Sequence, residues 1–200
     1  MPLRASVTTT LLALSLGAAS GLGAQQPTPR PAPQPAPGAP AQPAQPTVPA
    51  ANPTDVQSVD AILGALYDVI SGPAGQKRDW SRFTSLFYPG ARLVPTSPRP
   101  DGSAVARVIT PQEYVERAAP SLERDGFFEK EIARTTERYG NVVHAFSTYE
   151  TRRAATDATP FMRGINSIQL FNDGSRWYVL TIFWEAERPT TPIPAKYLPR

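Results

Sequence analysis

From residue 54 onward the spacing of apolar residues changes several times, and each change marks an element. Val56, Val59, Ile62, Leu63, Leu66, Val69 and Ile70 recur at helical spacing. Thr54-Asp-Val-Gln57 has the form of a capping box, and Gly72-Pro73 stops the helix. Asp79 is placed to cap a second, short helix with Trp80, Phe83, Leu86 and Phe87 on one face, ended by Pro89-Gly90. Ala91–Pro95 and Val105–Ile109 read as short strands around the loop Thr96–Ser103. Thr110-Pro-Gln-Glu113 then combines a cap, a proline at the first helical position and a glutamate that reaches back. Tyr114, Val115, Ala118 and Leu122 supply the buried stripe of this third helix, which Pro120 should kink or break.

Beyond that point the pattern is strand-like. Phe127–Arg138 and Asn141–Arg153 are long runs joined at Tyr139-Gly140-Asn141. After the loop Ala154–Pro160, a closing hairpin turns at Asn172-Asp173-Gly174-Ser175. The order is helix, helix, strand, strand, helix, then four strands. Helices grouped ahead of an antiparallel sheet define an α+β fold. Trp177 to Trp184 is apolar or aromatic at nearly every position, so both faces of the last strand need cover.

The sequence before residue 54 has another character. Residues 1–24 have the layout of a secretory signal: Arg4, a run of small and apolar residues from Val7 to Ala19, and small-residue cleavage candidates ending at Ala24. The run is short for a membrane span, which needs about 20 residues, so no stable span is expected once the signal is removed. Residues 25–53 hold 11 of the 24 prolines and one charge, Arg30, as in an extended, disordered spacer. The signal-like layout leads to the expectation of export to the periplasm or medium, and because the chain has no cysteine, a lipidated N-terminal Cys, disulfides and thiolate metal sites are excluded. The folded domain is expected over 54–187, followed by a Pro-rich tail, 188–200. Arg4 and Arg30 lie outside residues 54–200, which therefore carry 18 basic and 17 acidic residues, interspersed. That leaves no electrostatic footprint for nucleic acid.

Several stretches carry a resemblance: Trp80-Ser-Arg-Phe-Thr-Ser-Leu-Phe87, Ile109-Thr-Pro-Gln-Glu-Tyr114, Gly126-Phe-Phe-Glu129, Ser147-Thr-Tyr-Glu150, Arg163-Gly164 and Gly174-Ser-Arg-Trp177. Together with the order of elements they resemble the nuclear transport factor 2-like superfamily, closest to its bacterial SnoaL-like branch, over about Asp55–Glu187. The resemblance implies a strongly curved antiparallel sheet wrapped into a cone and closed by three helices. It also implies a cavity between helices and sheet, and frequent dimers through the outer sheet face. Members include isomerases, dehydratases, cyclases and many with no known activity, so the fold leaves the activity open. The paired histidines of dehydratase-type members are absent here, and the catalytic residues of ketosteroid isomerase-type members find no matching motif.

Within that frame, Trp177, Val179, Thr181 and Phe183 are expected to face the cavity, beside Asn166, with Tyr67, Trp80, Phe83 and His144 completing its lining. Tyr178, Leu180, Ile182 and Trp184 are then expected outside. They would form a patch larger than monomers usually leave bare, covered by a second subunit or by the chain's own tail. His144, the only histidine, is the candidate general base or a hydrogen-bonded sheet residue. Arg163 is a candidate anion clamp, or a structural lock on Glu129 or Glu150. Glu129 and Glu131 share one strand face, expected to point outward as solvated charges; inward, one would be a candidate acid with a raised pKa. No metal or cofactor is called for by any cluster. The leading expectation is a homodimeric, exported domain that binds a small apolar ligand or a partner. The alternatives are a cofactor-independent lyase or isomerase with His144 as base, and a structural domain of the cell envelope.

Overall fold

The computed structural model describes residues 48–200. The chain divides into two units, Met1–Gln42 and Pro43–Arg200, and the described residues belong to the second. The expected signal over 1–24 and nearly all of the expected spacer over 25–53 lie outside them.

The first helical stretch is two helices, α1 (Pro53–Val56) and α2 (Val59–Ile70), where the apolar spacing predicts one. Ser58 is the reason: its backbone is extended and its side chain accepts the Ala61 N–H at 3.0 Å, so it caps a new helix. The first cap is Asn52, with Pro53 in the first turn, not Thr54. In α3 (Trp80–Ser85), Asp79 caps as expected, accepting the Arg82 N–H at 2.8 Å. β1 (Phe87–Pro98) starts at once and carries Pro89-Gly90 inside it, where its pairing is irregular between Phe87 and Arg92. β2 (Ala104–Ala106) is a short exposed edge strand. α4 (Pro111–Asp125) forms the full capping box of Thr110 and Glu113 and continues unbroken past Pro120.

The remaining strands are β3 (Phe128–Tyr139), β4 (Val142–Arg152), β5 (Met162–Asn172) and β6 (Trp177–Ala186). One sheet holds all six, in the order β2-β1-β6-β5-β4-β3. The fold is α+β, as expected, but the sheet is mixed: β1 lies parallel to β6. A parallel neighbour needs a long crossover, and the whole run from β2 to β5 supplies it. The concave face packs on α2, α3 and α4 around Ile62, Leu63, Phe83, Leu86, Phe87, Val143, Ile168 and Val179, all at most 2% exposed.

One irregularity decides which side chains reach that core. Gln169 pairs with Thr181, and its neighbour Leu170 pairs with Val179, so β6 holds an extra residue at Leu180. A bulge of one residue moves every following side chain to the opposite face. Trp177 and Val179 point inward as expected. Past the bulge the set inverts: Ile182 and Trp184 line the inside, while Phe183 is 47% exposed. Ile182 and Trp184 are therefore not confined to an outer face, and Thr181 and Phe183 do not line the cavity between helices and sheet.

The C-terminal tail covers part of the outer face. Thr148 donates to the Tyr197 carbonyl at 2.6 Å, the Phe146 and Tyr197 rings meet at 4.9 Å, and Ile193 is buried. Arg163 donates to Glu187 at 2.8 Å, and Glu187 accepts the Ile193 N–H at 3.0 Å. Arg163 thus secures the root of the tail; its partner is Glu187, not Glu129 or Glu150.

Candidate functional site

Between α2, α3, α4 and the inner face of the sheet lies a cavity of about 220 Å3. Its walls are apolar, with Leu66, Ile70, Phe83, Leu122, Phe127 and Ile182 among them. Five polar side chains enter it: Tyr67, Tyr114, Glu129, Tyr149 and Asn166. A cleft of about 540 Å3 between α2 and β3 shares Tyr67 and Glu129 with the cavity, so these two residues stand between the compartments. The charges at the rim of that cleft are paired: Arg134 with Asp60 and Glu131, and Lys130 and Arg152 with Glu150.

Glu129 sits on β3 opposite Thr151, at a position where the strand turns its carboxyls toward the helices. The outward orientation expected for Glu129 and Glu131 is thereby corrected. Ser71, just past α2, fixes the strand locally by accepting the Glu129 N–H at 3.0 Å. Burial among apolar walls pushes the Glu129 carboxyl up to about 7. Hydrogen bonds from Thr151, at 3.1 Å, and from Asn166 hold it from rising further. The side chain keeps partial contact with open space because it borders both compartments.

A hydrogen-bond chain leads away from this carboxyl. The Asn166 amide donates to the Tyr67 hydroxyl at 3.1 Å, and Tyr67 meets the Ser147 hydroxyl at 2.7 Å. Ser147 donates to Glu131. A serine hydroxyl has one proton, so Tyr67 is the donor to Ser147. The chain is polarised from Tyr67 toward Glu131. Tyr67 itself is held above the usual phenol range, chiefly by burial. Tyr114 and Tyr149 are raised by burial and by the nearby charge of Glu129, and neither hydroxyl has a hydrogen-bond partner among the described residues. The cavity therefore offers one proton acceptor and two uncommitted donors inside an apolar shell.

Of the side chains expected to line the cavity, Tyr67, Phe83 and Asn166 do so. Trp80 packs edge-on against Phe83 and donates to Glu123 at 2.8 Å instead. Trp177 is buried elsewhere, beneath Arg138. His144 is on the outer sheet face, bonded to Ser167 at 3.0 Å and 3.5 Å from Glu137, remote from the cavity lining. Tyr114, Tyr149 and Trp184 also line the cavity, although none is expected there from the sequence, and Glu129 takes the inward alternative to the outward placement expected for it. For Glu129 the signal is its two-residue spacing from Glu131, which puts both on one face without saying which face is inside. Among the described residues no cluster of three or more His, Cys, Asp or Glu could hold a metal, and no helix is long and apolar enough to cross a membrane.

Fold and site define an α+β domain that wraps a curved sheet around a small acid-bearing cavity. No protein-family model and no curated protein matches the sequence. Among solved structures, the chain is similar to a protein of unknown function with a cystatin-like fold from Nostoc punctiforme, with 11% identity, coverage of 68% of this chain and 92% of that one, and a TM-score of 0.49. A nuclear transport factor 2-like superfamily protein from Salmonella enterica shares 14% identity over 68% of this chain and 87% of its own, with a TM-score of 0.41. A provisionally assigned ketosteroid isomerase from Kribbella flavida shares 13% over 72% and 87%, with a TM-score of 0.39. The structural neighbours are thus nuclear transport factor 2-like and cystatin-like proteins, a likeness of fold alone.

Proposed function

We propose that the inner cavity takes up a small, largely apolar carbonyl compound and that Glu129 exchanges a proton with it. One observation supports this above the rest: a lone carboxyl, lifted to about 7 by burial, shares an apolar cavity with the uncommitted hydroxyls of Tyr114 and Tyr149. A base acts best when its pKa lies near the working pH. Phenol hydroxyls held in a dry site are suited to stabilising the oxyanion that forms as a carbon acid loses its proton. This is isomerase or lyase chemistry of the SnoaL-like or ketosteroid isomerase-like kind, with the base moved from His144 to Glu129. The cavity, about 220 Å3, is below the usual range of roughly 300–1,000 Å3 for drug-sized ligands. The substrate would be a single ring or a short branched chain.

The test is proton exchange in D2O with a cyclic β,γ-unsaturated ketone, followed by proton NMR. Wild type should exchange the α-protons, and Glu129→Gln should lose at least about a hundredfold in rate. Equal rates for the two proteins refute the assignment. The second reading is a binding domain without chemistry. It draws on the commitment of Asn166, Tyr67, Ser147 and Glu131 to one another, which leaves most of the wall apolar. A ligand retained in native mass spectrometry without proton exchange would select it.

Export and self-association are part of the same proposal. The signal-like layout of residues 1–24 supports export, tested by N-terminal sequencing of the protein from cell fractions. Leu180 and Phe183, 39% and 47% exposed, support a homodimer contact on the outer face beside the tail. Sedimentation of wild type and Phe183→Lys tests it; a monomeric wild type would end that reading.

A further inference from the structure

On the far side of Tyr114 and Trp184 lies another cleft, of about 430 Å3, between α4 and the β1–β2 ribbon. Its walls include Val105, Ile109, Tyr114 and Trp184, and its rim carries Arg107 and Arg117. Tyr114 and Trp184 also wall the inner cavity, so the cleft abuts the Glu129 compartment without containing its acid.

Neither arginine side chain forms an ion pair or a hydrogen bond among the described residues. Arg82, Arg124, Arg134, Arg152, Arg163 and Arg188 each form an ion pair, and Arg78, Arg92, Arg99, Arg138, Arg153 and Arg176 each donate a side-chain hydrogen bond; of the rest, Arg107 and Arg117 are the two at this cleft. The obvious neighbour, Glu113, lies one turn before Arg117, but its carboxylate accepts the Thr110 N–H at 2.7 Å and the Thr110 hydroxyl at 3.1 Å. Residues 1–47 contain no Asp or Glu, so that part of the chain has no carboxylate to offer either. Arg107 is held at the rim by its backbone, which donates to the Pro95 carbonyl at 3.1 Å.

We propose that this cleft binds an anionic amphiphile, its carboxylate between Arg107 and Arg117 and its hydrocarbon chain against Val105, Ile109, Tyr114 and Trp184. Guanidinium groups match a carboxylate with parallel donors. The apolar wall excludes a bare inorganic anion as the best occupant, because such an ion would leave that wall wet. The mixed chemistry selects a ligand with both a charge and a chain. The site stands whether or not Glu129 transfers a proton, since Glu129 does not line it and the two compartments share only Tyr114 and Trp184.

The experiment is calorimetric titration of the full chain with decanoate and, separately, with decanol. Wild type should bind decanoate at least about tenfold more tightly than decanol, and added salt should weaken decanoate only. The double variant Arg107→Gln/Arg117→Gln should lose that preference while keeping its weak affinity for decanol, which also reports that it is folded. Glu129→Gln should bind decanoate as wild type does, which separates this site from the proton-transfer reading. Equal affinity for the two ligands in wild type, or an undiminished preference in the double variant, overturns the proposal.

Discussion

Replacing Glu129 by glutamine should change how stability depends on pH. The substitution keeps shape and removes the titration. In the folded chain the carboxyl ionises at about 7, against an ordinary value of 4.5. Between these values the folded protein holds a proton that the unfolded chain releases. Unfolding then sheds a proton, so stability falls as pH rises through this window. The contribution is fully present below pH 4.5 and lost above about 7. At about 1.4 kcal/mol per pH unit, the loss is at most about 3.5 kcal/mol. Partial access of the side chain to open space places the outcome at or below that ceiling. A glutamine at this position loses nothing across the window, so Glu129→Gln should gain on wild type by about 2–3 kcal/mol between pH 4 and pH 8. Any fixed offset from altered bonds to Thr151 or Asn166 cancels in this difference. Urea denaturation at closely spaced pH values measures it. A difference that stays flat to within about 1 kcal/mol would show that Glu129 is not buried as described.

Other substitutions test the frame around the site. Arg78, 8% exposed, donates to the carbonyls of Ile70, Gly72, Pro73, Gln76 and Leu122, tying the α2–α3 connection to α4. Arg78→Lys cannot serve them all and should cost about 3 kcal/mol in denaturant unfolding. Gly164→Ala would drive a Cβ into the Tyr149 hydroxyl and the Glu185 carbonyl. It should destabilise by at least about 2 kcal/mol and displace Tyr149 from the cavity wall, seen as a lowered Tm and as loss of ligand binding. His144→Ala should leave proton exchange within about twofold of wild type, since His144 lies on the outer face; a large loss in that assay would return the catalytic role to it.

The sequence by itself determined the class of fold and the order of its elements, because local chemistry suffices for both. The capping box at Thr110 and Glu113 and the cap at Asp79 appear where the residues place them. The strand runs and their turns also follow from period-two patterning and turn residues, which act over a few positions. Ser58 carries a local signal too, as a cap that divides α1 from α2, but the continuous apolar stripe masks it. Tertiary structure alone decided which side of each strand is inside. A strand's two faces are equivalent until something packs on one of them, and the extra residue at Leu180 is visible only in the pairing of β5 with β6. That bulge brings Ile182 and Trp184 inward and sends Phe183 out. The same dependence on packing turns Glu129 toward α2, where burial converts an ordinary solvated charge into the one acid of the cavity. Partner identity was equally out of reach of local pattern: Arg163 meets Glu187, 24 residues away, because the register that pairs Gly164 of β5 with Ala186 of β6 sets the two side by side.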